Sequence, residues 1–160
     1  MDIAIYGSHD SSITIKVSGT DYRVFELERL TKQRNYSLRT DTDPAFREHM
    51  IFMQELIKTK YHHDIFDCCY YAQLDREHLD IIREVFRVNQ FVEMKHHLSH
   101  AAGALYQSPY DRALIVSSDS GGHELEEGVQ TFCIYIGDKN QPGDLRIKKL
   151  AAIPIDLCGA

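Results

Sequence analysis

No stretch of this chain approaches the roughly 18 consecutive apolar residues that read as a membrane span. The opening MDIAIYGSHD has neither a basic start nor the long apolar run of a secretory signal. Basic residues are outnumbered, 18 Lys and Arg against 24 Asp and Glu, for a formal charge of −6. A basic stripe of the kind that grips nucleic-acid phosphates is therefore missing. Cysteine is scarce and poorly placed for cross-linking: Cys68, Cys69, Cys133 and Cys158 contain no C-x-x-C pair. Adjacent residues on a strand face opposite ways, so Cys68 and Cys69 make a poor disulfide. These absences exclude a zinc ribbon and point to reduced, buried thiols in a cytoplasmic protein, with neither nucleic acid nor membrane as a partner. H-E-x-x-H is absent too, which excludes a zinc-protease helix. No Ser/His/Asp or Cys/His nucleophile arrangement stands out.

What is present fits a soluble globular chain: 160 residues, 43% hydrophobic and 26% charged, enough for one sizeable core or one domain plus part of another. DIAIYG, SSITIKV and YRVFELE alternate and predict a three-strand meander over residues 2–28. PAFREHMIFMQELIKTKY, opened by Pro44, has helical spacing at Phe46, Met50, Met53 and Leu56-Ile57. FDCCYYA reads as a buried strand and DREHLDIIREVFRV as an amphipathic helix from Asp75 with acids in its first turn. FVEM follows as a short strand, then a third helix opens at the histidines and ends before Ser108-Pro109. RALIVSSDSGG, VQTFCIYIGD and LRIKKLAAIP predict three more strands. His62-His63 fit a helix end, and Tyr70, Tyr71 and Phe86 fit core or half-core positions.

A strand, a tight polar loop, a strand, a turn and a strand thus occur twice, with GSHDSS and SSDSGG as the loops. A meander followed by α and β units is the plan of an RNase H-like lobe, and two facing lobes make the actin and sugar-kinase architecture. The fold expected is α/β: a first lobe with a mixed sheet over residues 1–110, then the first three strands of an incomplete second lobe over 111–160. Short loops of small residues let backbone amides approach phosphate closely. Gly7 and Ser8 in the first loop, and Ser120, Gly121 and Gly122 in the second, are the candidate phosphate or nucleotide contacts. A D-x-G-G after a strand fits an ordinary hairpin turn equally well, and both readings stand.

EMKHHLSHAAGALY puts three histidines into five positions. On a helix His96 and His100 stand one turn apart on one face, and His97, three before His100, can share that face. Two imidazoles at this spacing can hold one divalent metal; they also suit a wet helix face. The small residues Ala101 to Ala104 favour close packing beneath a fixed site, and Asp119 in the later loop can complete a ligand set. Two histidines and one aspartate leave a metal open to further ligands. Residues 29–39 are basic, fitting either a solvated loop or a lip for an anionic substrate, and Glu124, Glu126 and Glu127 fit a solvent-facing acidic loop.

HHLSHAAGALYQSPY resembles the HHxxHAAxAxxxSPF stretch of the NodU and CmcH carbamoyltransferase family. IYGSHDSSITI resembles the family's opening strand and HDxSA loop, Glu28-Arg29-Leu30-Thr31 with Lys32 its ERxTR stretch, and SSDSGGHE its DGxGE segment. The four motifs come in the family's order and extend over essentially the whole chain. The resemblance implies a longer enzyme in which a YrdC-like domain makes carbamoyl-adenylate from carbamoyl phosphate and ATP. A two-lobed domain then transfers the carbamoyl group to a hydroxyl of a small-molecule acceptor. It also implies a metal, iron with zinc as the substitute, held by His96, His100 and Asp119, with a second aspartate beyond Ala160. His9 and Asp10 become the candidate catalytic groups that deprotonate the acceptor hydroxyl.

The chain departs from the family at Leu27, where a glutamate is usual, at Arg34-Asn35 in place of Lys-His, and at Ser120 in place of glycine. It also lacks the YrdC-like domain, so it reads as an N-terminal portion that is inactive alone and is completed by a C-terminal segment, a second chain or a second copy of itself. Two other classes stay open. One is a non-enzymatic metal- or nucleotide-binding module that acts by pairing with a second chain. The other is a sugar-kinase-type phosphotransferase, which the HxxxH cluster counts against.

Overall fold

The computed structural model describes residues 1–124 and 127–154. The chain divides into two compact units, Met1–Glu93 and Met94–Ala160. The architecture is α/β, with a mixed five-strand sheet in the first unit and a separate antiparallel three-strand sheet in the second.

The first unit begins with the expected meander, β1 (Asp2–Tyr6), β2 (Ser12–Ser18) and β3 (Asp21–Glu26), paired antiparallel. Alternation decides its register: Ile3 lies opposite Ile15 and Ile5 opposite Ile13, and all four are buried. The third strand stops at Glu26, two residues short of expectation, and one helical turn, α1 (Leu27–Thr31), follows. Helix α2 (Asp43–Tyr61) has its proline in the first turn and buries Phe46, Met50, Met53 and Ile57, the stripe its spacing predicts. His62 ends it in the left-handed conformation, its amide donating to the Lys58 carbonyl. Strand β4 (Ile65–Ala72) runs parallel to β1 and buries Cys68 and Cys69.

Asp75 caps α3 (Arg76–Val85) by accepting from the His78 amide at 3.2 Å. This helix ends three residues before the predicted limit. Phe86 leaves it to pack against Phe66, and Val88 already pairs with Phe66 in β5 (Arg87–Glu93), which starts four residues earlier than FVEM implied. The β-forming residues Phe86 and Val88 win over the helical spacing there. The sheet order is β3-β2-β1-β4-β5.

Helix α4 (His96–Gln107) has the predicted bounds, its last turn closed at Ser108. It packs on β6 (Arg112–Glu124) and β7 (Gly128–Asp138), which pair antiparallel, with β8 (Ile147–Pro154) beyond β7. The division between units therefore falls at Glu93, ahead of α4, and not after residue 110: the histidine helix shares its core with the later strands. That core holds Ala101, Leu105, Ile115, Cys133 and Tyr135. Gly137 gives Leu105 its seat, since a Cβ there would lie 2.7 Å from Leu105 Cδ2.

Cys68, Cys69 and Cys133 are buried and unbridged; Cys158 and Glu126 lie outside the described residues. Burial pushes the Cys69 thiol up to about 12, which removes it as a nucleophile at neutral pH. Among the described residues no helix is long and apolar enough to cross a membrane.

Candidate metal centre

DSGG looks like a turn in sequence, but Asp119, Ser120, Gly121 and Gly122 lie inside β6, which continues to Glu124. The β6–β7 register shifts between Ser118 and Gly122, so Asp119, Ser120 and Gly121 form a bulge, and Gly122 is paired again with Gln130; the segment is neither a hairpin turn nor a loop between strands. A bulge re-aims the side chain it carries, and this one turns Asp119 towards α4. Asp119 Oδ2 stands 2.7 Å from His96 Nε2 and 3.2 Å from His100 Nε2, and the two imidazole nitrogens are 3.1 Å apart.

The other carboxylate oxygen of Asp119 accepts the Ser120 amide at 2.6 Å, which leaves Oδ2 to the histidines. The hydrogen bond from His96, and then that from the Ser120 amide, hold the Asp119 carboxyl well below the usual carboxylate range, against an opposing contribution from partial burial. His96 is mostly covered, 15% exposed, while His100 is 55% exposed, so the cluster opens to solvent on the His100 side.

The geometry suits a metal. Donors ~2.1 Å from one first-row ion lie roughly 3 Å apart at neighbouring octahedral positions and roughly 3.4 Å apart at tetrahedral ones. The three separations here match the octahedral edge to within a few tenths of an ångström. Two neutral imidazoles and one carboxylate on one face are the donor set of a site with open positions. His96, His100 and Asp119 form the one such group of His, Cys, Asp and Glu found among the described residues.

Two neighbours hold this arrangement. Gly122 lies under His96: a Cβ on it would fall 2.3 Å from His96 Cδ2 and 2.6 Å from His96 Cβ. The close approach of helix and strand thus depends on the missing side chain. His97 does not share the ligand face. It is fully buried, with Nδ1 2.8 Å from Ser117 Oγ and Nε2 2.8 Å from the Gln130 carbonyl. The carbonyl can only accept, so Nε2 carries the proton and donates, while Nδ1 accepts from the Ser117 hydroxyl. His97 is a strut from α4 to β6 and β7. Just before it, Lys95 and Lys149 both pair with Glu127 and tie the start of α4 to β8.

The candidate catalytic pair sits in the first unit. His9 and Asp10 are largely exposed at the β1–β2 turn, their Nδ1 and Oδ2 3.0 Å apart, and Asp10 takes a left-handed backbone. Of the expected phosphate contacts, Gly7 donates its amide to the Ala72 carbonyl and Ser120 donates its amide to Asp119. Gly7 has a packing reason as well, since a Cβ there would meet the Gln73 carbonyl at 2.7 Å. Ser8 accepts from the Ser11 hydroxyl through its carbonyl, and Gly121 has a positive φ of 153° within the bulge.

Sequence reasoning missed the seat at Gly122 and the roles of Ser117, Gln130 and Glu127. For His97 a signal existed: Ala101 and Leu105 continue its stripe at intervals of four, so it falls on the apolar side. The fold and site together define an α/β chain that presents a two-histidine, one-aspartate donor set from a helix and a strand bulge. Set against protein-family models, curated proteins and solved structures, the chain matches none.

Proposed function

We propose that this chain is the N-terminal portion of an O-carbamoyltransferase, built on an RNase H-like lobe and the opening strands of a second, and that it works in the cytoplasm. The observation that carries the reading is the convergence of His96, His100 and Asp119 at ligand-to-ligand distances, on the motifs that resemble the NodU and CmcH family. The reaction takes carbamoyl-adenylate, made from carbamoyl phosphate and ATP, and a hydroxyl of a small acceptor.

A divalent iron or zinc on the donor set would supply positive charge to offset that of the adenylate phosphate. The chain's own residues do the rest. Asp119, pinned through Oδ1, keeps both imidazoles aimed at one point. Asp10 accepts from His9 Nδ1–H, which leaves Nε2 free to take the proton of the acceptor hydroxyl. The hydroxyl oxygen then bonds to the carbamoyl carbon as the bond to the phosphate oxygen breaks and AMP departs.

The test is metal content of the purified chain prepared anaerobically, beside a His96→Ala/His100→Ala double variant. Near-stoichiometric iron or zinc in the parent, lost in the variant, supports the reading. No metal in either protein under added Fe(II) or Zn(II), with both folded, overturns it for this chain.

A further inference from the structure

A second polar cluster lies in the first unit, where the chain between α1 and α2 folds back on α2. The Tyr36 hydroxyl donates to Asp41 Oδ2, His49 Nδ1 lies 3.1 Å from the same oxygen, and His49 Nδ1 is 3.0 Å from the Tyr36 oxygen. Tyr36 is buried, and the Asp41 side chain is 12% exposed. Of the two tautomers of the neutral imidazole, only one suits this triangle. A bare Nδ1 lone pair would face a carboxylate, so Nδ1 carries the proton, donates to Asp41, and leaves Nε2 as an acceptor.

His49 lines a groove of about 250 Å³ together with Leu27, Leu30, Thr31, Phe52 and Met53. Its floor is buried, Leu27 and Met53 being 2% and 1% exposed, and its rims Leu30 and Phe52 are open to solvent. The groove therefore has an apolar body with one histidine in its wall. Its volume is below the roughly 300 Å³ at which drug-sized pockets begin.

We propose that this groove is a binding site for a small molecule with an apolar body and one hydrogen-bond donor, a hydroxyl or amine, received by His49 Nε2. The shape sets the size, the leucine, phenylalanine and methionine walls set the body, and the Asp41-held imidazole sets the donor. The inference does not depend on the carbamoyl-transfer reading. A staple that merely ties residue 41 to α2 would need no groove and would show no preference for a donor.

Benzyl alcohol is the probe, and benzyl methyl ether, which keeps the ring and the oxygen but has no hydrogen to donate, is its control. Both are titrated into the protein while the Met53 methyl and His49 ring resonances are followed by NMR. The alcohol should shift both saturably and bind about fivefold more tightly than the ether. In His49→Phe the two probes should bind alike. In Asp41→Asn the new amide donates to Nδ1 and moves the proton to Nε2, so the preference for the alcohol should vanish there too. No saturable shift in the parent, equal binding of the two probes to the parent, or a preference that survives in both variants would each overturn the proposal.

Discussion

Gly122→Ala is the sharpest perturbation of the candidate centre because it adds one carbon and touches no ligand. The new Cβ would lie 2.3 Å from His96 Cδ2, where ordinary contact begins at about 3.4 Å, so the ring is ~1.1 Å too close. Turning the ring gives no escape, because the His96 Cβ itself would stand only 2.6 Å away, and its position does not depend on the rotamer. Helix and strand must separate by ~0.8 Å, an overpacking that costs about 1–3 kcal/mol. The separation also carries His96 Nε2 away from Asp119, and metal sites tolerate errors of only about 0.2 Å in ligand distance. The expected outcome is a folded protein, somewhat less stable to urea, whose affinity for Fe(II) or Zn(II) falls about 10–100-fold. Anaerobic metal titration read beside a urea melt separates the two effects. Parent-like metal affinity in a folded Gly122→Ala protein would refute the cradle argument.

Gly103→Ala is the matching control: it lies in α4 with nothing within 4 Å of an added Cβ, so it should raise stability by about 0.5–1 kcal/mol and leave metal binding unchanged. A fall in the urea midpoint would show that the site is tighter than described. His97→Leu strands the Ser117 hydroxyl and the Gln130 carbonyl in the core and should cost about 2–4 kcal/mol in equilibrium unfolding, and a loss under 0.5 kcal/mol would remove the strut. Glu127 is held below its usual range by Lys149 and then Lys95, so its pairs stabilise the fold above the unfolded value near ~4.3 and lose that as pH falls through the lower folded value. Glu127→Gln should therefore cost about 0.5–1 kcal/mol at pH 7 and converge with the parent as pH falls below the lowered folded value, and a gap independent of pH would show that charge is not the cause.

Much of the fold was legible because periodicity and helix signals agreed. Ile3, Ile5, Ile13 and Ile15 alternate, Pro44 opens α2, and Ser108-Pro109 ends α4. The convergence of His96, His100 and Asp119 was legible as well, since the histidines stand one turn apart and Asp119 is the first acid of β6. What failed was local chemistry read without its partner. DSGG has the composition of a turn, yet its glycines answer to a histidine on another element and to a register shift. Likewise REVFRV has helical spacing, and only pairing with β4 shows that its end belongs to a strand. His97 was separable from its neighbours by the stripe through Ala101 and Leu105, a pattern that becomes decisive once the covered side of the helix is known.

The donors from α4 and β6 stand only 23 residues apart in the chain. The entropy of closing a loop grows only with the logarithm of its length, so one this short is among the least costly to form. The contacts that shut it, Ala101 and Leu105 against Ile115, are also those that dock the helix on its hairpin. Assembling the site and folding the second unit are then a single event. A metal that prefers the folded form would raise that unit's stability by mass action, in proportion to the logarithm of its concentration above the dissociation constant.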